Sequence, residues 1–299
     1  MAAISHALIK ALNVGFDKAF QNGLSQAESQ YLKLATRTKS NTSSTTYGWL
    51  GNMPALREWV GARVIQDITN SGYNIVNKKF ESTIGVDRVD IDDDNVGIYS
   101  PLFEELGRSA AVFPDQLVGQ LLAAGDKTPC YDGQNFFDPE HPVNSKHDGT
   151  GTVNKVSNIT EGEGPGWYVL DCSRAIKPLI FQERDAVELT AMDKVDDENV
   201  FTYDQFRYGT RIRCNVGFGF WQMAHMSKAE LNADNLWDVI QKMRAIEGDG
   251  GKKLGIKPTI LVVPPELEKE ATRLLERELD AASSNELKGR LELMVYDYL

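Results

Sequence analysis

The sequence is poor in the residues on which most secreted proteins and many enzymes depend. Its 299 residues include only three cysteines and four histidines. Cys130, Cys172 and Cys214 lie far apart, so neither a disulfide framework nor a CxxC pair is predicted. Free thiols fit a reducing cytoplasm. The sequence also lacks an apolar run near the ~20 residues that span a bilayer, and its N-terminus lacks the features of a signal peptide.

Positive charge is scarce as well. The formal net charge is −11, which argues against a generic nucleic-acid binder because a phosphate partner needs a basic face. Residues 1–50 depart from this pattern, with five lysines and arginines against two acidic residues. A weakly basic arm on an acidic body favours docking between subunits, although a merely solvated arm fits equally well.

Established catalytic signatures are missing. Gly251-Lys252 lacks the flanking residues of a phosphate-binding loop, and neither GxGxxG after a strand nor GxSxG occurs. The acidic run 90–95 lacks the glycine and glutamate of a calcium loop, so we interpret it as a solvated turn, with a cation between subunits as the alternative. The sequence therefore predicts no enzyme activity and no cofactor.

One polar cluster leaves a metal site open. Carboxylates and imidazoles lie close in sequence and could ligate zinc: Asp132, Asp138, Glu140, His141, His147 and Asp148. Their spacing matches no established metal motif, and the surrounding Gly and Pro predict a structured surface loop within 126–166. The alternative is a metal-dependent hydrolase centred on His141 and His147.

The N-terminal segment has the pattern of a helical arm. Apolar residues recur every four positions over 3–22 and predict one helix that ends at Gly23. Ser25 and Glu28 form a capping box for a second helix, and residues 36–46 read as a polar linker. We expect the arm to contact a neighbouring copy, with folding onto its own body as the alternative. The proposed arm contacts are Leu8, Leu12, Phe16 and Phe20.

Residues 57–96 read as two extended strands joined by a turn at 70–72. A two-stranded ribbon with few apolar residues is marginal alone in water. We therefore expect its cover to come from another subunit. The proposed contacts between subunits are Tyr73, Ile75, Phe80 and Ile84.

The remaining chain alternates helices and strands, which indicates an α+β fold. Residues 101–124 are mainly helical, with Pro101 and Pro114 each suited to a first turn. Short strands follow from residue 167, and Asn232 or Asp234 begins another helix. Residues 259–296 predict a parallel strand–helix–strand unit.

Several long and unusual stretches carry a family resemblance. They are YGWLG at 47–51, EWVG at 58–61, DDDNVGIY at 92–99, GRSAA at 107–111, PCYDGQNFFDPEHPV at 129–143, WYVLDCSRAIKP at 167–178, GFGFWQMA at 217–224 and EGDGGKKLGIKPT at 247–259. Through them the chain resembles the major head subunits of Mu-like bacteriophages, the gpT-like family, over nearly its whole length.

The resemblance implies the tailed-phage capsid fold of the Hong Kong 97 (HK97) type. On this sequence it implies an N-terminal arm at 1–45, an E-loop and its base at 46–100, a peripheral domain with a spine helix at 101–229 and an axial domain at 230–299. One segment departs from the family fold: WYVLD to PLIFQE precedes the axial domain here, whereas many such shells place it near the C-terminus.

The function implied by the resemblance is self-assembly into the icosahedral head that encloses phage double-stranded DNA. Implied partners are copies in pentamers and hexamers, a separate scaffold protein, a portal, decoration proteins and non-specifically contacted DNA, with no membrane. Assembly is expected in the bacterial host cytoplasm, and the product is the virion. A nanocompartment shell of the same fold is the alternative, and cross-linking through Lys78 or Lys79 is conceivable.

Overall fold

The computed structural model of the chain describes residues 6–48, 50, 72–93, 96–146, 150–194, 197–280 and 283–299. The fold is α+β, as predicted, and its described part is built around two sheets with helices packed against them. Among these residues no helix is both long and apolar enough to cross a bilayer.

The elements follow one another along the chain with short strands between longer ones. The helices are α1 (His6–Gln26), α2 (Tyr31–Leu34), α3 (Arg88–Asp92), α4 (Ser100–Ala123), α5 (Glu198–Tyr203), α6 (Ala233–Ala245) and α7 (Glu268–Leu275). The strands are β1 (Ala35–Lys39), β2 (Ser44–Thr46), β3 (Asn74–Val76), β4 (Lys78–Asp87), β5 (His141–Asn144), β6 (Val153–Val156), β7 (Ile159–Thr160), β8 (Trp167–Leu170), β9 (Leu179–Met192), β10 (Gln205–Phe218), β11 (Ala224–Ser227), β12 (Glu247–Gly248), β13 (Lys252–Lys253), β14 (Ile260–Val263), β15 (Leu279–Asp280), β16 (Ser283–Ser284) and β17 (Glu292–Val295).

A four-stranded sheet in the order β1-β9-β10-β4 forms one half of the molecule. Its two central strands, β9 and β10, are antiparallel and each 14 residues long. Strand β4 pairs antiparallel with β10, and β1 pairs parallel with β9. Helices α1 and α4 lie against this sheet, where Phe16 stacks on Phe103 at 4.3 Å and both contact Tyr208.

Two glycines allow α1 and α4 to touch backbone to backbone. A Cβ added at Gly23 would lie 1.9 Å from the carbonyl oxygen of Glu104, and one at Gly107 would lie 2.1 Å from that of Phe20. The close contact therefore requires glycine at both positions. The prediction that Gly23 ends the first helix is wrong, because α1 continues through it to Gln26.

A buried carboxylate from α4 organises the chain after α1. Asp115 accepts hydrogen bonds from Ser29 Oγ at 2.7 Å and from the backbone nitrogens of Gln30 and Tyr31 at 2.8 and 2.6 Å. It thereby binds the free N–H groups that begin the short helix α2. The predicted capping box does not form here: the Ser25 hydroxyl donates to the backbone oxygen of Asn22.

Two further local predictions are corrected by tertiary contacts. Pro114 does not begin a helix but lies inside the single helix α4, where burial of Pro114 and of residues on either side of it holds the helix together. The predicted linker 36–46 contains most of β1 and all of β2. Pairing with β9 supplies β1 with backbone partners that its own composition does not reveal.

The five-stranded sheet, in the order β17-β14-β8-β11-β7, forms the other half. The predicted unit at 259–296 is confirmed: β14 pairs parallel with β17, and α7 lies between them in sequence. Helices α6 and α7 pack on one face, with Leu236 and Ala271 buried against Val169 and Leu261. The predicted helix start is also confirmed, since Asn232 Oδ1 accepts from the nitrogen of Asn235 at 2.9 Å.

Candidate assembly surfaces

The predicted ribbon has a different pairing from the one its pattern suggested. Residues 78–87 do not form a free hairpin arm, because they pair along their whole length with 205–214 of the same chain. The first predicted strand and the start of the turn, residues 57–71, lie outside the described residues. The prediction of one continuous ribbon over 57–96 is therefore wrong in its second half.

The flanks of the undescribed stretch meet in a small two-stranded sheet. Strand β2 pairs antiparallel with β3, and the nitrogen of Tyr47 donates to the carbonyl oxygen of Tyr73 at 2.9 Å. The two ends of segment 48–72 therefore lie next to each other. The chain at the start of this segment is anchored, since Tyr47 and Leu50 are almost fully buried.

Two of the four predicted ribbon contacts anchor the ribbon to its own body. Ile75 is 3% exposed and packs in the core beside the five-stranded sheet, so the proposal of Ile75 as a contact between subunits is corrected. Tyr73 is partly buried, and its hydroxyl accepts from the nitrogen of Phe218 at 2.7 Å. Burial raises the pKa of Tyr73 to about 12.

The other two predicted contacts are only partly buried and lie along β4. Ile84 packs against the aromatic core around Phe103, and Phe80 lies 4.6 Å from Phe113 of α4, ring centre to ring centre. Phe80 lines an open groove of about 110 Å³ between α4 and the four-stranded sheet. The other lining residues are Glu81, Ser82, Leu106, Ser109, Ala110, Phe113, Val187, Thr210 and Ile212.

The predicted arm packs on its own chain. Phe16 and Phe20 are 2% and 0% exposed in contact with α4 and the sheet, so their proposed role as contacts to a neighbour is corrected. The apolar stripe indicated the buried face of the helix correctly but not the partner that buries it. Leu12 is partly buried in the same core, and Leu8 is 37% exposed.

An apolar tip that sequence patterns did not single out lies where β9 passes into β10. Phe201 on α5 is 91% exposed and Tyr203 is 61% exposed. Val89 on α3 is also exposed, and α3 lies beside this tip because the Arg88 nitrogen donates to the Asp204 carbonyl oxygen at 3.0 Å. Clustered exposed apolar residues commonly mark an interaction site. Helix α5 has only six residues, too few to show a recurring apolar pattern in the sequence.

The polar cluster predicted as a surface loop separates into distinct parts. Asp132 Oδ2 and His141 Nδ1 lie 2.7 Å apart, whereas Glu140 pairs at the surface with Lys155. Asp138 Oδ1 accepts from the Glu140 nitrogen. His147 and Asp148 lie outside the described residues.

The structure adds Cys130 to this group, a residue that the spacing argument did not include. His141 has no exposed side-chain surface, so it cannot contact a substrate from solvent as a catalytic base must. This geometry gives no support to a hydrolase centred on His141 and His147.

The acidic run at 90–95 is partly used within the chain. Asp90 Oδ2 accepts a hydrogen bond from the Tyr99 hydroxyl at 2.6 Å, and Ile91 is buried. Asp94 and Asn95 lie outside the described residues. The described part of the run, residues 90–93, contains the last turn of the short helix α3.

Two solved chains with this architecture come from the procapsid and capsid of a bacteriophage. A chain of the bacteriophage JBD30 procapsid matches with a TM-score of 0.88 and 50% identity, covering 99% of this chain and 100% of that one. A chain of the JBD30 capsid matches with a TM-score of 0.78 and 35% identity, covering 99% of both chains. The two long strands of the sheet, the long helix α4 against them and the second, helix-covered sheet thus define a phage capsid subunit of HK97-like fold.

The family within that class is equally clear. A family model described as Mu-like prophage major head subunit gpT matches residues 9–299, and the chain belongs to that family. The major capsid protein of Escherichia phage Mu is 55% identical over 303 residues, covering 99% of each chain. The Mu-like prophage FluMu major head subunit of Haemophilus influenzae is 53% identical over the full length of both.

Proposed function

We propose that copies of this chain assemble into the icosahedral head of a Mu-like phage and enclose its double-stranded DNA. The observation that carries the proposal is the match of residues 9–299 to the major head subunit family. The long β9–β10 pair with α4 and the second sheet supply the same architecture as the JBD30 capsid chains.

The proposed partners are other copies, in pentamers and hexamers, with a scaffold protein, a portal and decoration proteins. The inner wall need only tolerate DNA without recognising its sequence, and a net charge of −11 per subunit limits adhesion to the phosphate backbone. Assembly takes place in the bacterial host cytoplasm, and the finished shell is part of the virion.

The proposed domains follow the two sheets. The four-stranded sheet with α4 as spine helix is the peripheral domain, and the five-stranded sheet with α6 and α7 is the axial domain. Strands β7, β8 and β11 belong to the latter sheet, although all three precede residue 230. The proposed axial domain therefore draws on residues 159–160, 167–170 and 224–227 as well as 230–299.

Segment 48–72 is the proposed E-loop that reaches a neighbouring subunit. The strands on either side of it, β2 and β3, pair with each other through backbone hydrogen bonds. The sequence of segment 48–72 includes Trp59, Val60, Val64 and Ile65. These apolar side chains suit the groove of a neighbour between α4 and β4, where Phe80 and Phe113 are only partly covered.

The first test fills the groove and leaves the sequence of segment 48–72 unchanged. Ala110→Trp places an indole in the groove on α4, and Ala123→Trp places one at an exposed position on the same helix as the control. Overexpressed protein is examined by negative-stain microscopy, with the scaffold protein supplied. We expect shells, tubes or capsomers from the parent chain and the control, and folded but unassembled subunits from Ala110→Trp.

A second variant replaces residues 55–69 with a short Gly-Ser linker, which leaves β2 and β3 intact. It should keep the circular dichroism spectrum of the parent chain and lose ordered assembly. Ordered shells from both the groove variant and the linker variant would contradict the proposed docking. Folded monomers from the parent chain, with scaffold present, would contradict the shell function itself.

A further inference from the structure

Three side chains with metal-binding atoms meet beside the turn that follows α4. Cys130 Sγ lies 3.1 Å from Asp132 Oδ1, and the other carboxylate oxygen, Oδ2, lies 2.7 Å from His141 Nδ1. One ligand atom from each of these residues can be chosen so that all three lie within 4.8 Å of one another. We call these three residues the Cys130 cluster.

The hydrogen bonds around Asn158 determine which nitrogen of His141 carries a proton. Asn158 Oδ1 accepts from the backbone nitrogen of Asp138 at 2.9 Å, so this atom is the oxygen. His141 Nε2 lies 3.1 Å from the same oxygen and must therefore be the donor. The Asn158 amide nitrogen is held by the carbonyl oxygens of Phe136, Trp221 and Ala224. His141 Nδ1 consequently directs its lone pair at Asp132.

Two acceptor atoms 2.7 Å apart need a positive species between them. In neutral imidazole with a proton on Nε2, the Nδ1 lone pair and the Asp132 carboxylate would repel each other. Either a proton or a metal cation on Nδ1 removes the repulsion.

The surroundings are those of a pre-organised ligand set. The His141 ring stacks on Trp221 with 3.9 Å between ring centres and 6° between planes, which fixes the direction of Nδ1. Metal-binding histidines almost always donate their second N–H to an oxygen, as His141 does to Asn158. Thiolate, imidazole and carboxylate together are typical zinc ligands.

The Asp132 carboxylate is the most exposed part of the cluster. Zinc bonds of about 2.0–2.1 Å separate two tetrahedral ligand atoms by roughly 3.3 Å, which is wider than the hydrogen bond between Asp132 and His141. Asp132 keeps 11% of its side-chain surface exposed, so solvent reaches its carboxylate. Cys130 and His141 are more deeply buried.

We propose that the Cys130 cluster binds one zinc-class divalent ion through Cys130 Sγ, Asp132 and His141 Nδ1, with a solvent oxygen as fourth ligand. Binding releases the thiol proton of Cys130 and any proton on Nδ1 to solvent. The ion ties the turn that contains Cys130 to the first residue of β5. This site does not depend on the shell function, because each of its ligands belongs to one chain.

The test begins with the full chain purified without chelators and analysed for zinc. After treatment with a chelator, the protein is titrated with Co²⁺, whose thiolate complex absorbs in the near ultraviolet. We expect one ion per chain and a cobalt–thiolate band. Cys130→Ser should abolish the band and weaken binding at least about tenfold, while Cys172→Ser, at a partly buried cysteine outside the cluster, should keep both.

Near-ultraviolet circular dichroism checks that both serine variants are folded. Folded parent protein that retains no stoichiometric zinc and binds no Co²⁺ would overturn the proposal and assign the charge between Asp132 and His141 to a proton. A cobalt–thiolate band that persists in Cys130→Ser would also overturn it, since the metal would then use another cysteine.

Discussion

Single residues already determine how this subunit responds to acid, and His225 is the clearest case. It lies on β11 with 1% of its surface exposed, and its Nε2 is 2.9 Å from the Thr160 hydroxyl. Its Nδ1 has no hydrogen-bond partner among the described residues. Burial, assisted by Lys242 and opposed by Asp238, lowers the pKa of His225 to about 4.

The folded protein should therefore lose stability as the pH falls from about 6.5 to about 4. Over that range the unfolded chain binds a proton at His225 that the folded chain does not, so unfolding is favoured at lower pH. Between pH 7 and pH 4.5 the effect of this one residue is about 2–3 kcal/mol. Urea unfolding of the unassembled subunit at the two pH values measures it.

His225→Gln removes the titrating group and should reduce the pH-dependent loss by that amount. Met226→Leu, at the adjacent buried position on β11, is the control and should keep the full loss. Equal pH dependence in parent chain and His225→Gln would show that other groups cause it.

Individual residues also show which features could be predicted from the sequence and which could not. The fourfold spacing of Phe16 and Phe20 correctly predicted a buried helix face, but spacing does not say which surface covers that face. Cys130 could not be added to Asp132 and His141 from sequence, because their approach depends on the turn between them and on Asn158.

At the scale of elements, the contact between α1 and α4 depends on where glycine stands. Gly15 and Gly23 belong to the same helix, yet a Cβ at Gly15 would meet no atom within 4 Å, whereas one at Gly23 would collide with the Glu104 backbone. The same substitution should therefore have opposite effects at the two positions.

We expect Gly15→Ala to raise the free energy of unfolding by about 0.5–1 kcal/mol, because alanine favours helix over glycine. Gly23→Ala should lower it by about 1–3 kcal/mol, because α1 must move away from α4. Urea unfolding of the two variants side by side gives the comparison. Two stabilised variants would mean that the helices do not pack as closely as described.

Elements set by local pattern were predictable, and elements set by distant partners were not. The unit at 259–296 and the helix that begins after Asn232 have their apolar period and caps within their own sequence. By contrast, β1 exists because β9 pairs with it. Helix α2 begins where the backbone nitrogen of Tyr31 donates to Asp115, 84 positions away in the sequence. Local sequence patterns span only a few residues, so they cannot predict contacts with partners that are distant in the sequence.

For the whole molecule, charge should control assembly. Each copy has a net charge of −11, and bringing copies together raises their mutual repulsion. Between about 20 mM and about 300 mM NaCl, the Debye length falls from roughly 20 Å to about 6 Å. We expect the light scattering of purified subunits with scaffold to rise with salt over this range.

The control uses sucrose at matched osmolality, which does not screen charge and should leave scattering unchanged. Scattering that falls steadily with salt would instead mean that attraction between opposite charges at the interfaces outweighs the overall repulsion.

The parallel pairing of β1 with β9 has a consequence for how the protein is made. Arg37 and Glu183, which form an ion pair across these strands, are 146 positions apart. At a ribosomal rate of about 5–20 residues per second, the N-terminal strand waits roughly 7–30 s for its mate to be synthesised. A nascent chain therefore completes this sheet late in translation, and newly made subunits reach assembly competence only after their C-terminal half has left the ribosome.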